Sequence, residues 1–150
     1  MKTLRHSDWG DALGVTRADT ENWIRRPEVT LRTRLLPTVP GRARVYTKDN
    51  VTEFALIGAL SKIGCPIDDG AAWAEVIMDE ARRPSGGQGE YLVFPAKDFG
   101  NGGVVNELVP NQLSALHDAS PNLAIVSIRV GAILRKVDQL FQDAGTKTGN

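Results

Sequence analysis

Two short helix-like runs that meet at Gly14-Val15-Thr16 place the tightest constraint on this 150-residue chain. Ser7 is positioned to cap a first helix whose opening turn carries Asp8 and Asp11, with Trp9, Ala12 and Leu13 on one face. Gly14 stops that helix, because glycine enters the left-handed conformation at little steric cost. Thr16 then caps a second helix that runs to about Arg26, and Pro27, which has no N–H donor, blocks its extension. The chain must therefore turn sharply, with Leu13, Val15 and Trp23 available to hold the two helices at their crossing. Arg17, Thr20, Glu21, Asn22, Arg25 and Arg26 are left for the outer face of the second helix. Such a unit is either a helical hairpin with a solvated charged face or a helix-turn-helix whose second helix lies in the major groove of DNA.

The pattern changes at Val29. VTLRTRLLPTVPGRARVYT alternates and is β-branched, with Pro37 and the Pro40-Gly41 turn inside it, which predicts a β-hairpin with arginines on both arms. Thr47 or Asp49 caps a helix over about Asn50 to Ile63, with an apolar stripe of Val51, Phe54, Leu56, Ile57, Leu60 and Ile63. Gly64 ends it, and Cys65-Pro66 leads into a helix over about Asp68 to Arg82 that buries Ala72, Trp73, Val76 and Ile77. Ser85-Gly86-Gly87-Gln88-Gly89 has the composition of a flexible linker. Beyond it, Tyr91 to Phe94, Val104 to Val109 and Leu123 to Ile128 read as strands. Asn111 to His117 reads as a short helix, Val130 to Gln142 as a final one, and Thr146 to Asn150 as a frayed end.

Overall charge is zero, but its distribution is not even. Residues 1–48 hold ten Lys and Arg against five Asp and Glu, and the acidic excess follows between Asp49 and Glu90. A basic end of this kind suits a polyanionic partner. LGVTRADTENWIRR resembles the Leu-Gly-Val-Ser/Thr start of the recognition helix in the MerR and excisionase-like winged helix-turn-helix families. GRARVYTKDNVTEFALIGALSKIGCPIDD is similar to the MerR wing and the helices after it, with Gly41 at the turn, Arg44 and Tyr46 on the strand, and Leu60 with Gly64 before the next helix. The resemblance spans roughly Leu4 to Ala81 and implies that Arg44 and Tyr46 touch the DNA backbone. Past that point the chain departs from the MerR pattern of one long pairing helix, so the family's effector half does not carry over.

Other chemistries find less support. Cys65 is the single cysteine, which excludes an intrachain disulfide and multi-cysteine metal sites, and neither His6 nor His117 is placed to activate it. Asp68, Asp69, Glu75, Asp79 and Glu80 lack a histidine at metal-ligand spacing and read as a charged helix face. Phe99-Gly100-Asn101-Gly102-Gly103 lacks the lysine and serine of a phosphate loop and reads as a turn. Trp9 and Trp23 read as core, and Arg32 and Arg34 as solvated positions on an edge strand. The apolar runs fall short of the roughly 20 residues of a membrane span, which suggests a soluble cytoplasmic protein.

The expectation is therefore an α+β chain. A winged helix-turn-helix over residues 1–84 is joined by a linker at 85–89 to a small α/β unit over 90–150, with strands and a terminal helix. Its expected role is a sequence-specific, double-stranded-DNA-binding transcriptional regulator of bacterial or phage type, not an enzyme, with no cofactor and an effector left open. Arg17, Glu21 and Asn22 would read bases, Arg25 and Arg26 would hold phosphates, Thr16 and Thr20 on the same helix would also contact the DNA, and Arg42, Arg44 and Tyr46 would add a wing contact. The last helix would form a homodimer. The alternatives are an excisionase- or terminase-small-subunit-like architectural protein and a protein–protein adaptor using a winged helix.

Overall fold

The computed structural model describes residues 1–82 and 89–146, so positions 85–88 of the expected linker and 147–150 of the expected frayed end lie outside the described residues. In chain order come β1 (Leu4–Arg5), α1 (His6–Leu13), α2 (Arg17–Arg25), β2 (Val45–Tyr46), α3 (Lys48–Lys62) and α4 (Ile67–Ala81). Then follow β3 (Tyr91–Pro95), β4 (Gly103–Val105), α5 (Pro110–Ala119), β5 (Ile125–Ile128) and α6 (Val130–Thr146). Among the described residues the fold is mixed α+β, with an antiparallel pair β1-β2 and a three-stranded antiparallel sheet ordered β4-β3-β5.

Helix α3 is the centre of the fold. Thr47 caps it reciprocally with Asn50: the Asn50 N–H donates to Thr47 Oγ1 at 3.2 Å, and the Thr47 N–H donates to Asn50 Oδ1 at 3.0 Å. Every residue from Asn50 to Gly58 is buried, so the apolar stripe expected from the sequence is in fact a helix enclosed on all sides. α4 and α6 pack against it, and β2 touches it. Fully burying side chains the size of Phe54 or Leu56 stabilises by about 1.5–3 kcal/mol each. α6 adds Val130, Val137 and Phe141 to a core otherwise drawn largely from α1 to α4, so residues on both sides of 83–88 share one buried cluster. Lys2 Nζ also donates to the Phe141 carbonyl at 2.8 Å, and Lys48 pairs with Asp138.

Four local expectations change. Helix α1 begins at His6 with Arg5 as its cap: the Arg5 N–H donates to the Asp8 carboxylate at 2.7 Å, and Ser7 is exposed in the first turn. The pairing of Leu4 with Tyr46 and Arg5 with Val45 brings the chain to the helix earlier than Ser7 would. On α4 the buried face is Gly70, Ala71, Ala74, Ile77 and Met78, while Val76 is exposed and Trp73 half-buried, because the register facing α3 lies one step round the helix. Strand β4 ends at Val105, opposite Tyr91, where β3 itself begins and no partner remains for Asn106 onward. α6 runs on to Thr146.

The largest change is between α2 and β2, where the expected β-hairpin is absent. Its first arm is held by side chains of α3 instead of by a second strand. The fully buried Glu53 carboxylate accepts the Arg32 N–H at 2.7 Å, the Thr33 N–H at 3.1 Å and the Thr33 hydroxyl at 2.6 Å. Asn50 Nδ2 donates to Thr33 Oγ1 at 2.9 Å and to the Arg34 carbonyl at 3.3 Å. Backbone groups satisfied in this way are not free for a ladder, and Pro37 and Pro40 remove two further donors. The second arm pairs with the N-terminal β1.

Candidate nucleic-acid interface

The turn between α1 and α2 is built as a tight corner. Gly14 sits at φ 66°, and the Val15 N–H returns to the Gly10 carbonyl at 2.9 Å. Thr16 Oγ1 accepts the Asp19 N–H at 3.0 Å and starts α2. Val15 is buried where α3 presents Gly58: a Cβ on Gly58 would lie 2.8 Å from Val15 Cγ2, so the close approach needs glycine there. Trp23 stacks on Phe54 with ring centroids 6.2 Å apart, and Trp9 lies 6.4 Å from the same ring on another side. The pair of helices is thus held by Trp9, Val15 and Trp23, with Leu13 half-buried at its edge.

That packing sorts the side chains of α2. Arg17, Asn22, Arg25 and Arg26 are exposed and Glu21 is half-exposed, while Thr20 is fully buried and donates its hydroxyl to the Thr16 carbonyl at 3.2 Å. Arg17 Nε lies 3.1 Å from Glu21 Oε1, and Arg26 lies 3.8 Å from Glu28. Exposed pairs of this kind contribute only about 0–1 kcal/mol, so neither arginine is held firmly by its carboxylate. Tyr46 is buried, 5.4 Å from the Trp9 ring and 5.9 Å from Phe54. Burial pushes its phenol up, Arg44 opposes this, Glu21 adds to it and Arg17 again opposes it. Tyr46 thus feels charges from the start of α2 and from the segment before β2.

Arg42 is exposed at the turn after Pro40, where Gly41 takes φ 76° and the Arg42 N–H donates to the Val39 carbonyl at 3.0 Å. Arg44 is half-exposed and reaches the Leu36 carbonyl at 3.5 Å. The structure thus pairs Arg17 with Glu21, carries Arg42 on an exposed turn, and leaves Tyr46 and Thr20, both expected to contact DNA, in the interior. Two polar residues of this region, Asn50 and Glu53, were not among the expected functional positions. Thr47-x-x-Asn50 is a legible capping pattern, but Glu53 is distinguished only by being the one carboxylate in the otherwise largely apolar run Val51 to Leu60.

Elsewhere, burial followed by the nearby Asp69 and Asp68 pushes the Cys65 thiol up to about 11, so it is protonated at neutral pH. Among the described residues no three His, Cys, Asp or Glu side chains are grouped to hold a metal ion. The segment over residues 99–102 is the loop leading into β4, tied to α4 by the Trp73 indole, which donates to the Phe99 carbonyl at 2.7 Å. No described helix is long and apolar enough to cross a membrane. The chain matches no protein-family model, and no curated protein matches it significantly.

Proposed function

We propose that this chain binds double-stranded DNA sequence-specifically as a transcriptional regulator, with a MerR-like helix-turn-helix in its N-terminal half. The observation that supports this reading is the arrangement of α2: Trp23 and Thr20 face the interior, while Arg17, Asn22 and Arg25 face outward from a helix held by a tight glycine corner, with Arg26 exposed at its end. In this reading Arg17, Glu21 and Asn22 reach base edges, and Arg25 and Arg26 hold phosphates. The second contact comes from the loop carrying Arg42 and Arg44 in place of a hairpin wing. Two-fold readers use two half-sites, so a homodimer through the C-terminal unit completes the proposal. The apolar stripe of α6 is largely committed to the core through Val137 and Phe141, which leaves the free edges of β4 and β5 and the exposed Val109 and Leu123 as the dimer surface.

The test is selection of duplexes from a random pool by the purified protein, followed by anisotropy titrations across salt. Affinity is expected to fall steeply with salt, and the double variant Arg25→Ala/Arg26→Ala should bind more weakly with a log–log slope shallower by roughly two. A nearly flat salt response in the unsubstituted protein sinks the reading. Footprints on selected sites should show short paired half-sites; phased repeats with bending would favour an architectural role.

A further inference from the structure

A polar notch of about 230 Å³ opens between the segment held by Glu53, the start of α3 and the end of α4. Arg32, Thr33, Arg34, Thr47, Asp49 and Arg82 line it, three guanidinium groups against one carboxylate. Arg32 is fixed in place: it donates to the Glu75 carbonyl at 3.2 Å and pairs with Asp79. Arg82 Nη2 is 2.6 Å from Asp49 Oδ2. Arg34 is exposed and makes no side-chain hydrogen bond or ion pair to a described residue. The Thr47 hydroxyl accepts from the Asn50 N–H, which leaves its own proton to donate. The N–H groups of Lys48 and Asp49, at the first two positions of α3, have no intrahelical acceptor.

We propose that this notch binds a phosphate group. Arg32 presents a guanidinium already paired with Asp79, Arg34 adds one with no partner among the described residues, and the Thr47 hydroxyl is a further donor on the same wall. Asp49 is the internal competitor, since its carboxylate occupies the Arg82 guanidinium until a phosphate displaces it. This arrangement gives opposite signs to two substitutions, which a purely structural role for these residues would not. That the phosphate belongs to a DNA backbone rests on the function proposed above; the notch itself does not.

Inorganic phosphate titrated into the intact protein at constant ionic strength, followed by amide chemical shifts, is expected to give saturable shifts at Thr47, Lys48 and Asp49. Arg34→Ala, at an exposed position, should weaken the affinity by about tenfold, the value of one charge-assisted contact. Asp49→Asn should tighten it. Absence of saturable shifts, equal affinity in Arg34→Ala, or weaker binding in Asp49→Asn overturns the site. A second arm uses selected duplex DNA. Weaker duplex binding by Arg34→Ala, with a salt slope shallower by roughly one, identifies the source as the DNA backbone. Unchanged duplex binding beside weakened phosphate binding identifies a free phosphate ester instead. If the duplex is not bound at all while the phosphate titration behaves as expected, the notch stands and the DNA-reading proposal fails.

Discussion

Replacing Glu53 by alanine removes the acceptor that holds the chain between α2 and β2. The carboxylate is fully buried and accepts three hydrogen bonds, two from backbone N–H groups and one from the Thr33 hydroxyl. Each buried donor left without a partner costs about 1–3 kcal/mol. Arg32 and Thr33 are only half-buried, so water reaches part of what the substitution exposes, and the sum settles near the lower end, at about 3 kcal/mol. For a chain of this size that corresponds to a melting temperature lower by about 6–12 °C. Glu53→Gln should fall between Glu53→Ala and the unsubstituted protein, because an amide oxygen in place of Oε1 keeps both Thr33 bonds while the NH2 group faces the Arg32 N–H donor. Urea unfolding at fixed pH measures the loss, and hydrogen exchange localises it, with the Arg32 and Thr33 amides losing protection before those of α3. A Glu53→Ala stability within about 0.5 kcal/mol of the unsubstituted protein refutes the argument that this carboxylate, and not strand pairing, organises the segment.

Gly58→Ala should cost about 1–3 kcal/mol, because the new Cβ meets Val15 Cγ2 and forces α1–α2 away from α3; urea unfolding checks it, and a neutral result would mean the corner shifts freely. Glu90 is bound by Arg135 and Arg129 through hydrogen bonds, and these lower its carboxyl from the usual 4.5 to about 2. A folded-state value below the unfolded one means that this contribution is complete above the unfolded value and is lost as pH falls from there through about 2. Acid unfolding of Glu90→Gln beside the unsubstituted protein should therefore show a stability difference at neutral pH that closes at low pH; a constant difference would contradict it.

Three helix ends, at Gly14, Thr16 and Thr47, were legible because they are short-range events. Thr16 and Thr47 cap where their hydroxyls reach an N–H three residues on, and Gly14, at positive φ, ends its helix where the residue type suggested. The candidate reading face was partly legible for the same reason: helical spacing turns Arg17, Asn22 and Arg25 away from Trp23, while Arg26 is exposed because it lies past the end of α2. Thr20 was misjudged because its small side chain suits either face, and only the packing of α2 on the rest of the molecule places it inside. Tyr46 reads as a strand residue from either direction. Its burial follows from meeting Trp9 and Phe54, which lie 37 residues before and eight after it.

By itself, the sequence determined the corner at Gly14-Val15-Thr16, the capped start of α3, the alternation of helix and strand beyond residue 89, and the concentration of arginines before Asp49. Those depend on φ preferences, hydroxyl reach and apolar period, all of which act within a few residues. The tertiary structure alone decided that β2 pairs with β1 instead of completing a hairpin, that Glu53 replaces a strand as the partner of residues 32–33, and that α6 closes the core over α3. Each of those joins residues about 20 to 90 positions apart, where local propensity carries no information and the outcome turns on which partner satisfies a buried polar group or covers an apolar face.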